Sequence, residues 1–470
     1  MLKTIIEKEI RDNILSTKFA VTFGICSLLI LLSFYVGAKN HNIAQIRYDA
    51  AKVENLHQLK GLTDWAQVNN FRVFLPPQPL AALVSGVSND IGRNTEINGR
   101  GELKPEDTIF GDDPIYAVFR FLDLEFIFQI ILSLFAILFA YDSINGEKER
   151  GTLRLTFAYQ VPRDIYISGK LIGSFLSLSV PLLIPILIGG LLLPMFGINM
   201  NGDEWLKLGL IILTGFLYVG VFLSMSVFIS ASTQKSSTSF LSLLVIWVFA
   251  VMIVPRLSVA AAGAFVDVPG IDEINSKKAK LTSQLWSEDR NSINNFKPEA
   301  TNDMQKMMEQ FNKFMQEKAD ARENKIKELT SRLNEERNNK LAVRNNLGFG
   351  ISRISPASSF TFAASSLAGT SLSLEDNYLK SLTNYQVKYG DFMFEKTGMR
   401  NSGMIRFQRI EDDAEKPETI NTNEIPEFEF SQPSLSSVIP SVMIDSGILI
   451  LFNIVFFAGA FVSFRKYDVR

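Results

Sequence analysis

The 470-residue chain has one cysteine and two histidines, and its charges nearly cancel, with 47 Lys plus Arg against 49 Asp plus Glu. A single cysteine, Cys26, excludes an intrachain disulfide, and its place in an apolar run keeps the thiol neutral and inert. His41 and His57 stand sixteen positions apart with no third ligand in the pattern, so no metal site is expected. No dense basic patch offers nucleic acid a footprint. The chain also lacks a phosphate-binding loop, in which backbone amides of Gly-x-x-x-x-Gly-Lys-Ser/Thr wrap the phosphates. The nearest approach, "DIYISGKL", has Asp164 where the first Gly belongs and Leu171 where the hydroxyl belongs. ATP hydrolysis by the chain alone is therefore not expected. No nucleophile–base pair, metal triad or paired acidic motif appears in the polar stretches, which argues against an enzyme.

The 47% hydrophobic content is segregated into long blocks. About 20 apolar residues at 1.5 Å rise cross the hydrocarbon core, so each such block reads as a spanning helix. Six are predicted, at 19–38, 122–141, 171–196, 206–230, 240–256 and 442–464. The fold class is an all-α polytopic membrane protein. The first span is read as a retained anchor, because it is too long for a signal peptide and has no small-residue cleavage site. Pro181 and Pro185 in the third span are tolerable, since neighbouring helices can satisfy the freed carbonyls.

Basic residues set the orientation. Lys3, Lys8, Arg11 and Lys18 precede span one, and Lys148, Arg150, Arg154, Arg163 and Lys170 follow span two. Lys235 lies between spans four and five, and Arg465, Lys466 and Arg470 close the chain. The turn "GINMNGDEW" between spans three and four has none. All the basic segments thus fall on one face, read as cytoplasmic. Both termini are expected inside and the stretches 39–121 and 257–441 outside, in an inner cell membrane. Residues 1–18 place Leu2, Ile5, Ile6, Ile10, Ile14 and Leu15 at helical spacing, as an interfacial helix would.

Stretch 39–121 reads as irregular, with turn signals in "LPPQPL" and "INGRGELKPEDTIFGDDP". Within 273–345, Met304, Met308, Phe311, Met315, Ala319, Ile326, Leu329 and Leu333 recur at three- and four-residue steps. That seam predicts a long helix folded against one containing Ile274, Leu281 and Leu285, or half of a coiled coil completed by a second subunit. The methionines Met304, Met307, Met308 and Met315 read as core filler rather than copper ligands. "EDDAEKPETINTNEIPEFEF" reads as an extended loop. Ionisable residues near spans are costly. Asp445 at the start of span six and Arg256 at the outer end of span five are candidates for an outer-gate ion pair, whereas Asp123 and Glu125, near Arg120, read as interfacial.

Segment 142–170 is charge-dense and wedged between two apolar runs. On composition it is a cytoplasmic loop able to form a short surface helix. The order "NGEKERGTL", then "VPRDIYISGKLIG", resembles the cytoplasmic motif of ABC type-2 transporter permeases. The matching residues are Gly146, Glu147, Lys148, Glu149, Arg150, Gly151, Thr152, Leu153, Pro162 and Arg163, with Gly169, Lys170 and Leu171 entering the next span. "FLPPQPLAALVSG", "SASTQKSSTS", "WVFAVMIVPRLS", "ISPASSF" with "LAGTS", and the terminal "FRKYDVR" resemble a branch with a large extracytoplasmic insert before the last span. The resemblance implies that 142–170 is a coupling helix docking on a separate cytoplasmic ATPase, two copies per assembly. It also implies a second permease, identical or similar, and substrate export or extraction. No cofactor would bind the chain itself, ATP and magnesium acting through the partner. An extracytoplasmic protein partner would suit the large insert. The competing expectation is a scaffold that transmits motion to its outer domain and moves nothing across the membrane.

Overall fold

The computed structural model describes all residues except 69–70, 98–102, 104, 107–121, 160, 297–303, 398–418 and 467–470, and gives only backbone at 304–306, 308, 309 and 312. Arg120, the turn signals after residue 106, the start of the 411–430 loop, Arg470 and the side chains of Met304 and Met308 lie outside the described residues.

Among the described residues, six helical segments are long and apolar enough to cross a membrane: Thr17–His57, Leu124–Glu149, Arg163–Met195, Gly202–Ser232, Ser236–Phe265 and Leu435–Arg465. The molecule is an all-α multi-pass membrane protein. The chain divides into two compact bodies, one of Met1–Met252 with Ser355–Arg470 and one of Ile253–Ile354.

In the first body, α1 (Leu2–Ile14) gives way to α2 (Thr17–His57) at Ser16, whose hydroxyl caps the Phe19 N–H at 3.1 Å. At 41 residues, α2 is roughly 60 Å long, twice the hydrocarbon thickness, and its second half is polar. Next come a short antiparallel pair, β1 (Arg72–Phe74) and β2 (Asn94–Glu96), in register Val73 to Thr95. Span two, α3, runs from Leu124–Phe126 through a π turn, Ile127–Leu132, into Ser133–Ala140. Two short helices, α4 (Asn145–Glu149) and α5 (Thr152–Ala158), lead into α6 (Arg163–Met195). Spans four and five are α7 (Gly202–Ser232) and α8 (Ser236–Trp247), the latter continued by a second π turn, Val248–Ile253.

The second body holds α9 (Val254–Phe265), α10 (Ile271–Asn294) and α11 (Met304–Ser352). Helices α10 and α11 form an antiparallel hairpin. Phe296, just beyond α10, meets Phe311 and Phe314; Asp289 pairs with Arg322; the Pro269 carbonyl accepts from Arg337 at 2.8 Å. Advance along one strand of the hairpin is thus matched by retreat along the other.

The chain rejoins the first body with α12 (Pro356–Ala368), α13 (Ser373–Thr397) and α14 (Leu435–Arg465). The stretch 257–441, read as one external domain, therefore divides. At 13 residues α12 is roughly 20 Å long, too short to span, yet it packs against α7 and α14 in the main core. Its Phe360 is fully buried and stacks on Tyr218 at 5.1 Å. Helix α13 instead builds a second core with the β pair, in which Tyr378, Leu382, Tyr385 and Tyr389 meet Phe71 and Val73. The π turns free carbonyls that side chains recover. Ser133 and Tyr218 donate to the Gln129 carbonyl at 2.6 and 2.9 Å, Trp247 Nε1 donates to Ser133 Oγ at 2.8 Å, and Ser355 donates to the Ala250 carbonyl.

Candidate functional site

Residues 141–159 and 161–163 are folded and held on several sides. Gly151 adopts φ +73°, the left-handed conformation that separates α4 from α5 at no Cβ cost. Pro162, at ψ 138°, is extended and starts α6 at Arg163.

Four charged or amide side chains of the segment close the ends of other helices. Lys148 Nζ donates to the carbonyls of Ala231 and Thr233 at 2.7 and 3.1 Å, satisfying groups that the end of α7 leaves without helical partners. The Glu149 carboxylate accepts from the Ser236 N–H and hydroxyl at 2.8 and 2.9 Å, at the first turn of α8, where the helix dipole favours negative charge. Asn145 is buried and donates to Thr233 Oγ1 at 3.0 Å, while its own N–H and that of Ile144 donate to Ser230 Oγ. Arg163 donates to the carbonyls of Phe464 and Arg465 at 3.2 and 2.6 Å, the last turn of α14. The segment is thereby tied to spans four, five and six.

Glu147 is tied to span three and to α1. It is only 4% exposed. Its carboxylate accepts from Tyr166 OH at 2.7 Å, Lys170 Nζ at 2.9 Å and Lys8 Nζ at 3.3 Å. Lys170 also donates to Glu9 Oε2 at 2.7 Å, and Ser174 Oγ donates to Glu9 Oε1 at 3.3 Å. Two acids and one base are thus buried together, with Lys8 half-exposed at the rim. Helix α1 comes this close because α6 presents glycine twice on one face. A Cβ on Gly169 would lie 2.6 Å from Ile5 Cγ2, and one on Gly173 would lie 2.6 Å from Glu9 Cβ. The Gly-x-x-x-Gly spacing lets two helix backbones approach closely.

What remains exposed belongs mainly to α5 and the residues beside it. Arg150, Gly151, Thr152, Arg154 and Pro162 face outward, while Leu153 is buried. Leu155 is 67% and Tyr159 80% exposed, and both line a cleft of about 280 Å³ against Ile5 and Lys8 of α1. The motif residues are therefore of two kinds: Asn145 to Glu149 and Arg163 grip the body, and α5 shows an apolar and basic face.

Sequence reasoning missed Glu9 and Tyr166 as members of this cluster, and the spacing of Gly169 and Gly173 was the available signal. The other sequence candidates fall in separate bodies: Asp445 is buried on α14 in the first, and Arg256 is exposed on α9 in the second. Among the described residues, no group of three His, Cys, Asp or Glu side chains is placed to hold a metal.

A search of curated proteins gave no match. A family model described as "ABC-2 family transporter protein" matches residues 3–469. Six apolar helices, a folded charged segment between spans two and three, and a family match over nearly the whole length lead to one identification: the chain belongs to the ABC-2 transporter family, the membrane subunits of ABC transporters.

Proposed function

We propose that the chain is a permease whose energy comes from a separate cytoplasmic ATPase docking on α5. The observation that supports this reading is the division of the segment into a gripping half and a presenting half. A push on Leu155 and Tyr159 passes through the caps made by Lys148, Glu149 and Arg163 and through the Glu147–Lys170–Glu9 cluster into spans three to six and α1. Such a segment moves with the spans rather than flexing by itself. In the complete transporter two permeases face each other, each binding one ATPase. ATP binds the closed arrangement better and shifts the population of a two-state body. Both termini and the coupling segment are cytoplasmic, the membrane is the inner one, and substrate moves outward. ATP and magnesium act in the partner. Glu147, being buried, holds the handle in place and does not touch the partner itself. The outer-gate pairing of Arg256 with Asp445 rests on sequence alone, and unchanged ATP-coupled transport in Asp445→Asn would retire it.

The test replaces Leu155 and Tyr159 together with Asp in the full-length chain. Both side chains face outward, so membrane insertion and helix content should match the parent while co-purification of the ATPase falls at least about tenfold, since burying a charge in an apolar contact is costly. Undiminished co-purification and normal stimulated ATPase activity would remove α5 as the docking face.

A further inference from the structure

Alongside α2, within the first body, lies a cavity of about 380 Å³ that the coupling segment does not line. On α2 it runs from Val36 to Ala51. The apolar run of that helix ends at Ala38, and Lys39, Asn40 and His41 follow. The cavity therefore straddles the level at which hydrocarbon gives way to head groups. The turn Pro79–Ala82 closes one side by direct contact with α2: a Cβ at Gly37 would lie 2.1 Å from the Ala82 carbonyl oxygen.

The wall is divided by chemistry. Val36, Ile43, Leu75, Ala81 and Leu122 make one part apolar, while Arg47 and Arg93 supply the cationic groups of another. Among the described residues the lining contains one acid, Asp123, and its carboxylate is already engaged. It accepts from the Ser85 N–H at 3.2 Å, the Ser85 hydroxyl at 2.6 Å and the Phe126 N–H at 2.8 Å. Arg93 is different. One terminal nitrogen donates to the Ser88 carbonyl at 3.4 Å, but its Nε–H is buried and has no partner among the described residues. Burial pulls its guanidinium below the usual arginine range, with no carboxylate among the described residues to oppose the shift. A guanidinium stays protonated in proteins, so the charge persists, and its Nε–H lacks an acceptor among the described residues.

We propose that this cavity binds an anionic amphiphile, its acidic head on Arg93 and its acyl chain along the apolar wall. Two sources carry that chemistry, a phospholipid of the surrounding bilayer and a free single-chain amphiphile such as an alkyl phosphate. Shape and charge together require both halves of the ligand. An inorganic anion would leave the apolar wall uncovered, and a neutral chain would leave the Arg93 Nε–H without an acceptor.

The experiment uses the full-length chain and two photoactivatable probes. One is an alkyl phosphate added to the detergent-solubilised protein. The other is phosphatidylglycerol in phosphatidylcholine nanodiscs containing the protein. Crosslinked peptides are mapped by mass spectrometry in the parent, in Arg93→Gln and in Ala44→Phe, which fills the cavity from α2 without changing charge. Labelling is expected on residues 36–51 and 74–94 and falls about tenfold or more in each variant, the loss of one charge-assisted contact or of the chain's space. Labelling by the phosphatidylglycerol probe assigns the bilayer as the source. Labelling by the alkyl phosphate alone assigns the free amphiphile. Should Arg93→Gln fail to fold, as judged by size exclusion and helix content, Ala44→Phe decides. Equal labelling in the parent and the folded variants overturns the proposal, as does no labelling of these segments by either probe. Competition by inorganic phosphate as strong as that by unlabelled alkyl phosphate also overturns it.

Discussion

Replacing Lys170 with methionine keeps the length and apolar bulk of the side chain and removes the one base buried between Glu9 and Glu147. Its Nζ lies 2.7 Å from Glu9 and 2.9 Å from Glu147, and all three side chains are at most 7% exposed. Without it two carboxylates remain buried, with Lys8 3.3 Å from Glu147 but 55% exposed. An exposed lysine is screened by water and compensates little. Removing one partner of a buried ion pair costs about 3–5 kcal/mol, which at about 1.4 kcal/mol per decade weakens the docked state of α1 by roughly two to three orders of magnitude. The readout is a single introduced cysteine, Ile5→Cys, at the point where α1 rests on Gly169, in a chain whose one native cysteine is buried. Its reaction with a membrane-impermeant maleimide tracks the undocked population when docking is fast relative to labelling. The rate should rise by roughly two orders of magnitude in Lys170→Met, and most of the rise should vanish when Glu9→Gln and Glu147→Gln are added, because a neutral cluster has no charge to strand. A rate within about threefold of the parent in Lys170→Met, the size of ordinary non-additivity, would refute the reasoning.

Other outcomes follow from the same geometry. Gly173→Val adds atoms where even a Cβ lies 2.6 Å from Glu9 Cβ, so it should expose the same reporter cysteine with no charge altered; an unchanged labelling rate would mean that α1 does not depend on close approach. Trp247→Phe deletes the donor to Ser133 beside the π turn of span two and should cost about 1 kcal/mol, seen as a lower midpoint in thermal unfolding, whereas Trp286→Phe in the second body keeps an aromatic face under Arg322 and should cost less. Burial pushes the phenols of Tyr378 and Tyr389 up to about 12. Because an unfolded phenol ionises near 10, the stability they lend is intact below about pH 10 and is lost as pH rises towards 12. Near-ultraviolet phenolate absorbance should show these tyrosines titrating late in the folded protein and normally after denaturation; early titration of both in the folded state would contradict the packing of α13.

The spans are legible in the sequence because crossing hydrocarbon is a local demand, met by a run of consecutive apolar residues whatever the neighbours do. The positive residues around "NGEKERGTL" are legible for a similar reason, since charge near a span end acts on the membrane and not on a particular partner. The hairpin of α10 and α11 shows in the three- and four-residue steps of one seam. Other features depend on which helix lies beside which. Glu9, Glu147 and Lys170 look like solvated charges in their own segments, and only the approach of α1 to Gly169 and Gly173 buries them as one cluster. Helix α12 is too short to register as membrane-embedded; its place against α7 and α14 comes from Phe360 finding Tyr218. The sequence by itself therefore determined how many times the chain is apolar enough to cross and where its charged segment falls. The tertiary structure alone decided which of those charges grip the body and which face outward, because burial is a property of the neighbours a side chain acquires.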